Sequence, residues 1–351
     1  MELNQDNLEK LVNQMIGDIG AAFSLPLVRL GNALGLYKVL RDRGPITSVQ
    51  LAEATGLAER YLREWLSAQA AANYITYNPE GESFSLSPEQ AAVLADEKSP
   101  AYMTPAFDCA AAAFENQTRV QQAFQTGEGV AWGNQATCLS CAVAKFFRPG
   151  YQNNLVQNWL PALGGVVEKL ERGAKVADVA CGHGLSTLIM AQAFPNSEFI
   201  GFDFHEGSIH AAKEHARVHG LTNLSFEAAL AKEYPGTYDL VTMFDCLHDF
   251  GDPVGTMTHV RRSLASNGTC MIVEPAAGDR LEDNLNPVGR LYYSSSTMIC
   301  VPTSLAQEVG AALGAQAGEK RLRDVIVNGA GFTSLQRVTE TPFNLILEAR
   351  L

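Results

Sequence analysis

The run Val176-Ala-Asp-Val-Ala-Cys-Gly-His-Gly184, with a helical stretch and then Phe199-Ile-Gly-Phe-Asp203 behind it, constrains this chain more than any other feature. It reads as a buried strand, a glycine turn, a helix, and a second strand ending in a carboxylate. In an open parallel sheet, nucleotide-like ligands bind in the crevice beyond the strand C-termini. Gly182 and Gly184 let the backbone approach such a ligand where a Cβ would block it. Asp203, about 20 residues on, is placed to accept hydrogen bonds from both ribose hydroxyls. A nicotinamide dinucleotide is the rival occupant, but its fingerprint asks for a third glycine where this chain has Thr187. The bland alternative is a glycine turn with no ligand.

At 351 residues the chain is long enough for two domains, and 46% hydrophobic content supplies their cores. No apolar run reads as a membrane span of about 20 residues. Met1-Glu-Leu-Asn-Gln-Asp6 has neither the basic nor the apolar stretch of a signal peptide. Seven cysteines, an odd and scattered set, suit a reducing compartment, so a cytoplasmic enzyme is expected. Cys138-Leu-Ser-Cys141 has half the spacing of a zinc site, but no second pair follows and no metal is expected. A net charge of −12 argues against a polyanionic partner.

The first part of the chain has another texture. Leu8, Leu11, Met15, Ile16 and Ile19, then Leu27, Leu30, Leu34 and Tyr37, keep helical spacing. After Pro45 a short helix begins with Ser48 as its expected N-cap, and a second helix spans Ala58 to about Ala72. The segment from Ile75 to Leu86 forms two strands with a Pro/Gly tip, completing a winged helix-turn-helix. DNA binding would need a basic recognition helix. Here Glu59, Arg60, Arg63 and Glu64 cancel, so DNA binding is not expected. The long apolar stripe exceeds what a small domain can bury alone, which predicts a homodimer through this part.

Residues 1–98 are therefore read as a helical and winged-helix dimerisation domain, 99–173 as an aromatic-rich helical cap, and 174–351 as the ligand-binding domain. Trp132, Phe147, Arg148 and Tyr151 in the cap are candidate substrate contacts, against the alternative that such aromatics are core. Beyond Asp203, strands are expected at Leu224–Ala228, Tyr238–Asp245 and Thr269–Glu274, followed by an antiparallel pair at Ser334–Val338 and Asn344–Glu348. Alternation with helices makes this an α/β, doubly wound sheet. Asp252-Pro253 opens one of these helices as N-cap and N1. Asp279 to about Pro302 lacks periodicity and reads as a functional loop carrying Tyr292 and Tyr293.

Asp178-Val-Ala-Cys-Gly-His-Gly184, Gly201-Phe-Asp203, Phe244-Asp-Cys-Leu-His-Asp249, Gly251-Asp-Pro253 and Val273-Glu-Pro275 resemble class I S-adenosylmethionine (AdoMet)-dependent methyltransferases. More narrowly, the chain resembles bacterial winged-helix small-molecule methyltransferases, a likeness that extends to Asn284–Arg290 and Pro342–Leu345. The resemblance implies a Rossmann-like fold, AdoMet as cofactor and a small-molecule acceptor. It implies that Asp178, Phe244 and Asp245 belong to the cofactor site and that the backbone at Ala180, Gly182 and Gly184 lies against the methionine moiety. Asp203 would hold the ribose and Phe204 flank the adenine. Leu230 departs from the pattern, which often has a carboxylate there for the adenine amino group, leaving that contact to the backbone near Ala231.

Leu247-His-Asp-Phe-Gly-Asp252 also resembles the histidine-aspartate segment of small-molecule O-methyltransferases, which makes His248 the candidate general base. An imidazole can take a proton from a hydroxyl near neutrality, and the alternative is a histidine that only braces a loop. His183 and His205 are expected beside the cofactor, and His210, His215 and His219 on a helix face. His259 has no evident partner in the sequence. Three readings stand at this level: methyl transfer to an oxygen, nitrogen or sulfur acceptor, including a thiol that needs no base; a ligand-responsive winged-helix regulator; and an AdoMet-binding enzyme of other chemistry.

Overall fold

The computed structural model describes residues 3–351, so Met1 and Glu2 of the N-terminal reading lie outside the described residues. The chain divides into two compact units, one ending at Ala111 and the other running from Ala112 to Leu351.

In the first unit, helix α1 (Gln5–Ala33) is followed by α2 (Leu36–Arg43), α3 (Ser48–Thr55), α4 (Glu59–Ala71), strands β1 (Thr76–Asn78) and β2 (Ser83–Ser85), and α5 (Pro88–Leu94). The strands pair antiparallel, as the wing requires. Helix α3 is capped by Thr47 and not by Ser48: Thr47 and Gln50 form a reciprocal capping box, while the Ser48 hydroxyl donates to Glu59. The core gathers Val28, Leu36, Tyr37, Leu40, Leu51, Leu62, Trp65 and Leu66. Gly31 is required there, because a Cβ would sit 2.5 Å from the Trp65 ring. Along α1, Leu11, Val12, Met15, Ile16, Ile19 and Phe23 are exposed. Among the described residues α1 is also long and apolar enough, by length and composition, to cross a membrane.

Helix α6 (Thr104–Thr126) leads to α7 (Leu139–Asn154), α8 (Leu160–Ala162) and α9 (Val166–Arg172). Then come β3 (Lys175–Val179), α10 (Leu185–Ala193), β4 (Glu198–Asp203), α11 (Glu206–His219), β5 (Leu224–Ala228), β6 (Tyr238–Phe244), α12 (Pro253–Ser263) and β7 (Leu264–Pro275). Helices α13 (Pro287–Ser295), α14 (Val301–Leu305) and α15 (Gly318–Arg323) precede β8 (Ser334–Glu340) and β9 (Asn344–Arg350). The seven strands order as β5-β4-β3-β6-β7-β9-β8, parallel except for β9, which is antiparallel to both its neighbours. The order reverses between β3 and β6, which opens a crevice at their C-terminal ends.

Strand residues alternate between two cores, as a sheet covered on both faces demands. Val176, Leu240, Met271 and Ile346 pack with Trp159, Leu160 and Phe199 on one face. Ala177, Val241, Ile272 and Leu347 pack with Met257, Val260 and Leu322 on the other. The segment after Asp279 is not the irregular loop expected. It holds α13, a π-helical turn (Ser296–Cys300) and α14, and that wide turn shifts the helical phase and hides the periodicity.

Gly201 lies where a Cβ would stand 2.4 Å from the Phe226 ring. Gly201→Ala should therefore overpack this contact and destabilise the second unit by about 1–3 kcal/mol, read as a lower urea midpoint at unchanged m-value.

Candidate active site

The crevice is built by two turns that leave the strands with left-handed backbone. Ala180 (φ +57°) follows β3 and Asp245 (φ +49°) follows β6, and both are non-glycine residues. Such strain persists only where its surroundings over-determine it, and it clusters at working sites.

Beneath the first turn, both Asp178 oxygens are occupied by protein. One accepts from the hydroxyls of Ser186 (2.7 Å) and Thr187 (2.6 Å), the other from Thr242 (3.1 Å). Asp178 is thus a brace under the turn, and Thr187 does work that glycine could not. Burial raises its pKa to about 6, against the lowering effect of the three hydroxyls. Gly184 serves packing as well: its Cβ would lie 2.4 Å from the Phe226 ring. Gly182 is different. Its φ is +53°, and an added Cβ would meet nothing within 4 Å, which is the open cradle a close-lying ligand needs.

Asp203 is buried. Its Oδ2 accepts from Gly182 N (2.9 Å) and its Oδ1 from His205 N (2.8 Å), tying the ends of β3 and β4 together. Burial raises its pKa while those N–H groups oppose the rise. Each oxygen retains a lone pair for a further donor. Phe204 and Leu230 are exposed and Ala231 is half-buried. His205 caps α11 and His215 Nδ1 lies 3.0 Å from the His183 carbonyl oxygen, so these rings brace the loops. His219 reaches the His215 carbonyl and His259 the Tyr234 carbonyl, which supplies the partner the sequence did not show.

After β6, the Asp245 carboxylate accepts from Asn344 Nδ2 (2.7 Å) and, at 3.4 Å, from the Tyr151 hydroxyl. Burial and the nearby Glu274 push its pKa well up. Tyr151 stacks on Phe147 and tilts against Phe244 (5.2 Å between centroids), so three expected residues share one aromatic wall. Other expectations separate. Arg148 is exposed, Tyr293 is about one third exposed, Trp132 packs with Tyr292 in a different core cluster, and the Tyr292 hydroxyl donates to Phe343 O.

A 3-10 turn (Leu247–Asp249) then carries His248 into the interior. Glu274, at the end of β7, grips that turn with both oxygens: Oε1 accepts from Leu247 N (2.9 Å) and Oε2 lies 2.6 Å from His248 Nδ1. Burial disfavours the imidazolium, but the Glu274 and Asp249 carboxylates outweigh it and hold the His248 pKa well above its ordinary value. With Nδ1–H donated to Glu274, the ring is oriented and Nε2 is the proton-accepting atom. Sequence reasoning gave Glu274 no role, although a carboxylate ending an otherwise apolar strand was the available signal. Nor did it join Cys300 to His248 and Asp249, whose donor atoms lie within 4.8 Å of one another, a group that bears on the expectation of no metal ligands.

Residues 170–325 match the family model of a methyltransferase domain, and residues 21–96 match an Rv2258c-like winged helix-turn-helix domain. Residues 170–325 are a methyltransferase domain. A ubiquinone biosynthesis O-methyltransferase of Leptothrix cholodnii is 38% identical over 112 residues, covering 30% of this chain and 45% of that protein. One from Methylococcus capsulatus is 36% identical over 101 residues, 28% of this chain and 41% of that protein. The chain thus spans less than half the length of these curated relatives. Similar solved structures include human N-acetylserotonin methyltransferase in complex with SAM (TM-score 0.68, 15% identity, 100% of this chain and 99% of that one). An O-methyltransferase family protein from Burkholderia thailandensis aligns with TM-score 0.69 at 18% identity, again over 100% of this chain and 99% of that one. These likenesses establish the class I methyltransferase fold of the methyltransferase domain and the sheet that carries it.

In this domain the Asp178 brace has a measurable signature. The folded state binds that proton more tightly than the unfolded chain, so its stabilising effect is lost as pH rises from the ordinary 3.8 through about 6. Asp178→Asn should flatten the fall in urea-unfolding free energy across that window.

Proposed function

We infer that this protein transfers the methyl group of AdoMet to a hydroxyl of a small-molecule acceptor. The observation that carries this is the buried His248–Glu274 pair at the crevice of a methyltransferase domain. The open cradle at Gly182 and the buried Asp203 beside it fit the cofactor. Ala180, Gly182 and Asp203 would hold its methionine and ribose, and Phe204, Leu230 and the Ala231 backbone its adenine. The sulfonium supplies a methyl carbon already activated toward nucleophiles.

The chain then has two tasks, to align the acceptor and to take its proton. Phe147, Tyr151 and Phe244 offer an aromatic wall for the acceptor, and Asp245, fixed by Asn344, stands at the same strand end. In its neutral form His248 accepts the hydroxyl proton at Nε2, while Glu274 and Asp249 stabilise the imidazolium that results. Glu274 also fixes the ring through the Leu247 amide, so the base does not have to find its orientation during the reaction.

A homodimer is part of this reading, formed by packing the exposed apolar face of α1 on a second copy. The i,i+4 pairs Arg60–Glu64 and Arg63–Glu59 leave α4 without the free cations that DNA phosphates need, which supports an assembly role for the winged helix. The buried Cys181, Cys246, Cys270 and Cys300 remain thiols, which supports a reducing, cytoplasmic setting.

Three measurements test the proposal. Asp203→Ala should weaken AdoMet binding at least about tenfold by calorimetry, since bonds to a charged group contribute roughly 1.5–3 kcal/mol each, and Gly182→Val should be as damaging. His248→Ala should lower turnover about 10²–10⁴-fold on a phenolic panel, read as S-adenosylhomocysteine release, with AdoMet affinity little changed. Full activity of that variant on its best hydroxyl acceptor would end the base assignment, and activity kept only on thiols would move the acceptor class to sulfur. Light scattering at micromolar concentration should return the mass of a dimer.

A further inference from the structure

The cluster around His248 holds more donor chemistry than proton transfer uses. His248 and Asp249 come from the 3-10 turn after β6, and Cys300 ends the π-helical turn before α14, some fifty residues later in the chain. A nitrogen, a carboxylate oxygen and a sulfur from these three residues lie within 4.8 Å of one another. Zinc bonds of about 2.0–2.3 Å set tetrahedral ligand atoms roughly 3.5 Å apart, so small side-chain adjustments close the gap. The Asp249 Oδ1 is shielded from water and accepts no hydrogen bond, standing 3.4 Å from His248 Nε2 without hydrogen-bond geometry. His248 Nδ1 is already committed to Glu274, the outer carboxylate that orients metal-binding histidines elsewhere.

Charge points the same way. Glu274 Oε2 (2.6 Å) and Asp249 Oδ1 (3.4 Å) both approach the one His248 ring, so acidic oxygens outnumber the cationic group they face. Imidazole and thiolate together favour zinc over magnesium or calcium, which take oxygen ligands.

We propose that His248 Nε2, the Asp249 carboxylate and the Cys300 thiolate form a binding site for zinc(II), and that its occupation silences the histidine. Binding releases to solvent the thiol proton and, from a charged ring, the Nε2 proton, and leaves a fourth coordination position open. The same Nε2 lone pair cannot hold a metal and accept a proton, so the ion acts as an inhibitor of methyl transfer. That second clause rests on the base assignment made above; the site itself does not.

Cobalt(II) titration of the full chain, stripped with EDTA and without donor or acceptor, tests the site. One equivalent should give thiolate-to-cobalt charge-transfer absorption in the near ultraviolet, bleached by zinc(II). Cys300→Ala, with wild-type circular dichroism, should lack the band although the exposed Cys141 and half-buried Cys138 remain. Glu274→Gln should lower zinc affinity about 10–100-fold. If Cys300→Ala does not fold, Asp249→Asn should keep the band and lose at least about tenfold in affinity. A wild-type protein without the band, an equal band in Cys300→Ala, or unchanged affinity in Asp249→Asn would each overturn the proposal. Because the readout is metal binding alone, these outcomes leave the base reading intact, and a fully active His248→Ala would leave the metal site intact.

Discussion

The clamp on Asp178 ties together the three elements that make a crevice possible. Its carboxylate leaves β3, collects two hydroxyls from the first turn of α10 and one from β6, and does so with no solvent access. A buried carboxyl needs such partners, because an unsatisfied one would cost several kcal/mol. Once they are supplied, the segment Ala180–Gly184 is stretched between fixed points and turns through left-handed backbone. That turn holds the open space at Gly182, and the Gly182 amide within it donates to Asp203.

A second carboxylate organises the other half of the crevice in the same manner. Glu274 reaches from β7 to the backbone and ring of the turn after β6, so one side chain sets both the position and the protonation preference of His248. Asp178 meets only neutral hydroxyls and is driven toward its protonated form, whereas Glu274 meets an imidazole and draws it toward its charged form. Two buried acids thereby serve different ends, one mechanical and one electrostatic, because of what each faces.

Much of this was legible along the chain. The strand–turn–helix signature, the carboxylate at Asp203, the Asp252-Pro253 helix start and the wing at Ile75–Leu86 each depend on neighbours within a few residues, where spacing carries the information. Local chemistry misled where two readings compete at the same position. Ser48 is a good N-cap in isolation, but Thr47 has Gln50 three residues on and takes the role. Gly184 has a packing role that no local signal announces, because Phe226, more than forty residues away, forbids its Cβ. The helices after Asp279 were hidden because a π-turn breaks the 3.6-residue rhythm on which periodicity depends.

The amino-acid sequence by itself determined the doubly wound sheet, the glycine turn, the winged helix and the histidine after β6, because alternation, glycine placement and capping act over short range. Only the tertiary structure decided what those residues touch. Glu274 meets His248 because β6 and β7 are adjacent and parallel, Asn344 meets Asp245 because β9 enters the sheet antiparallel beside β7, and Cys300 reaches the same turn through a helix from outside the sheet. Contacts of that kind span tens of residues, and their chemistry exists only once the packing of the core has brought the strand ends together.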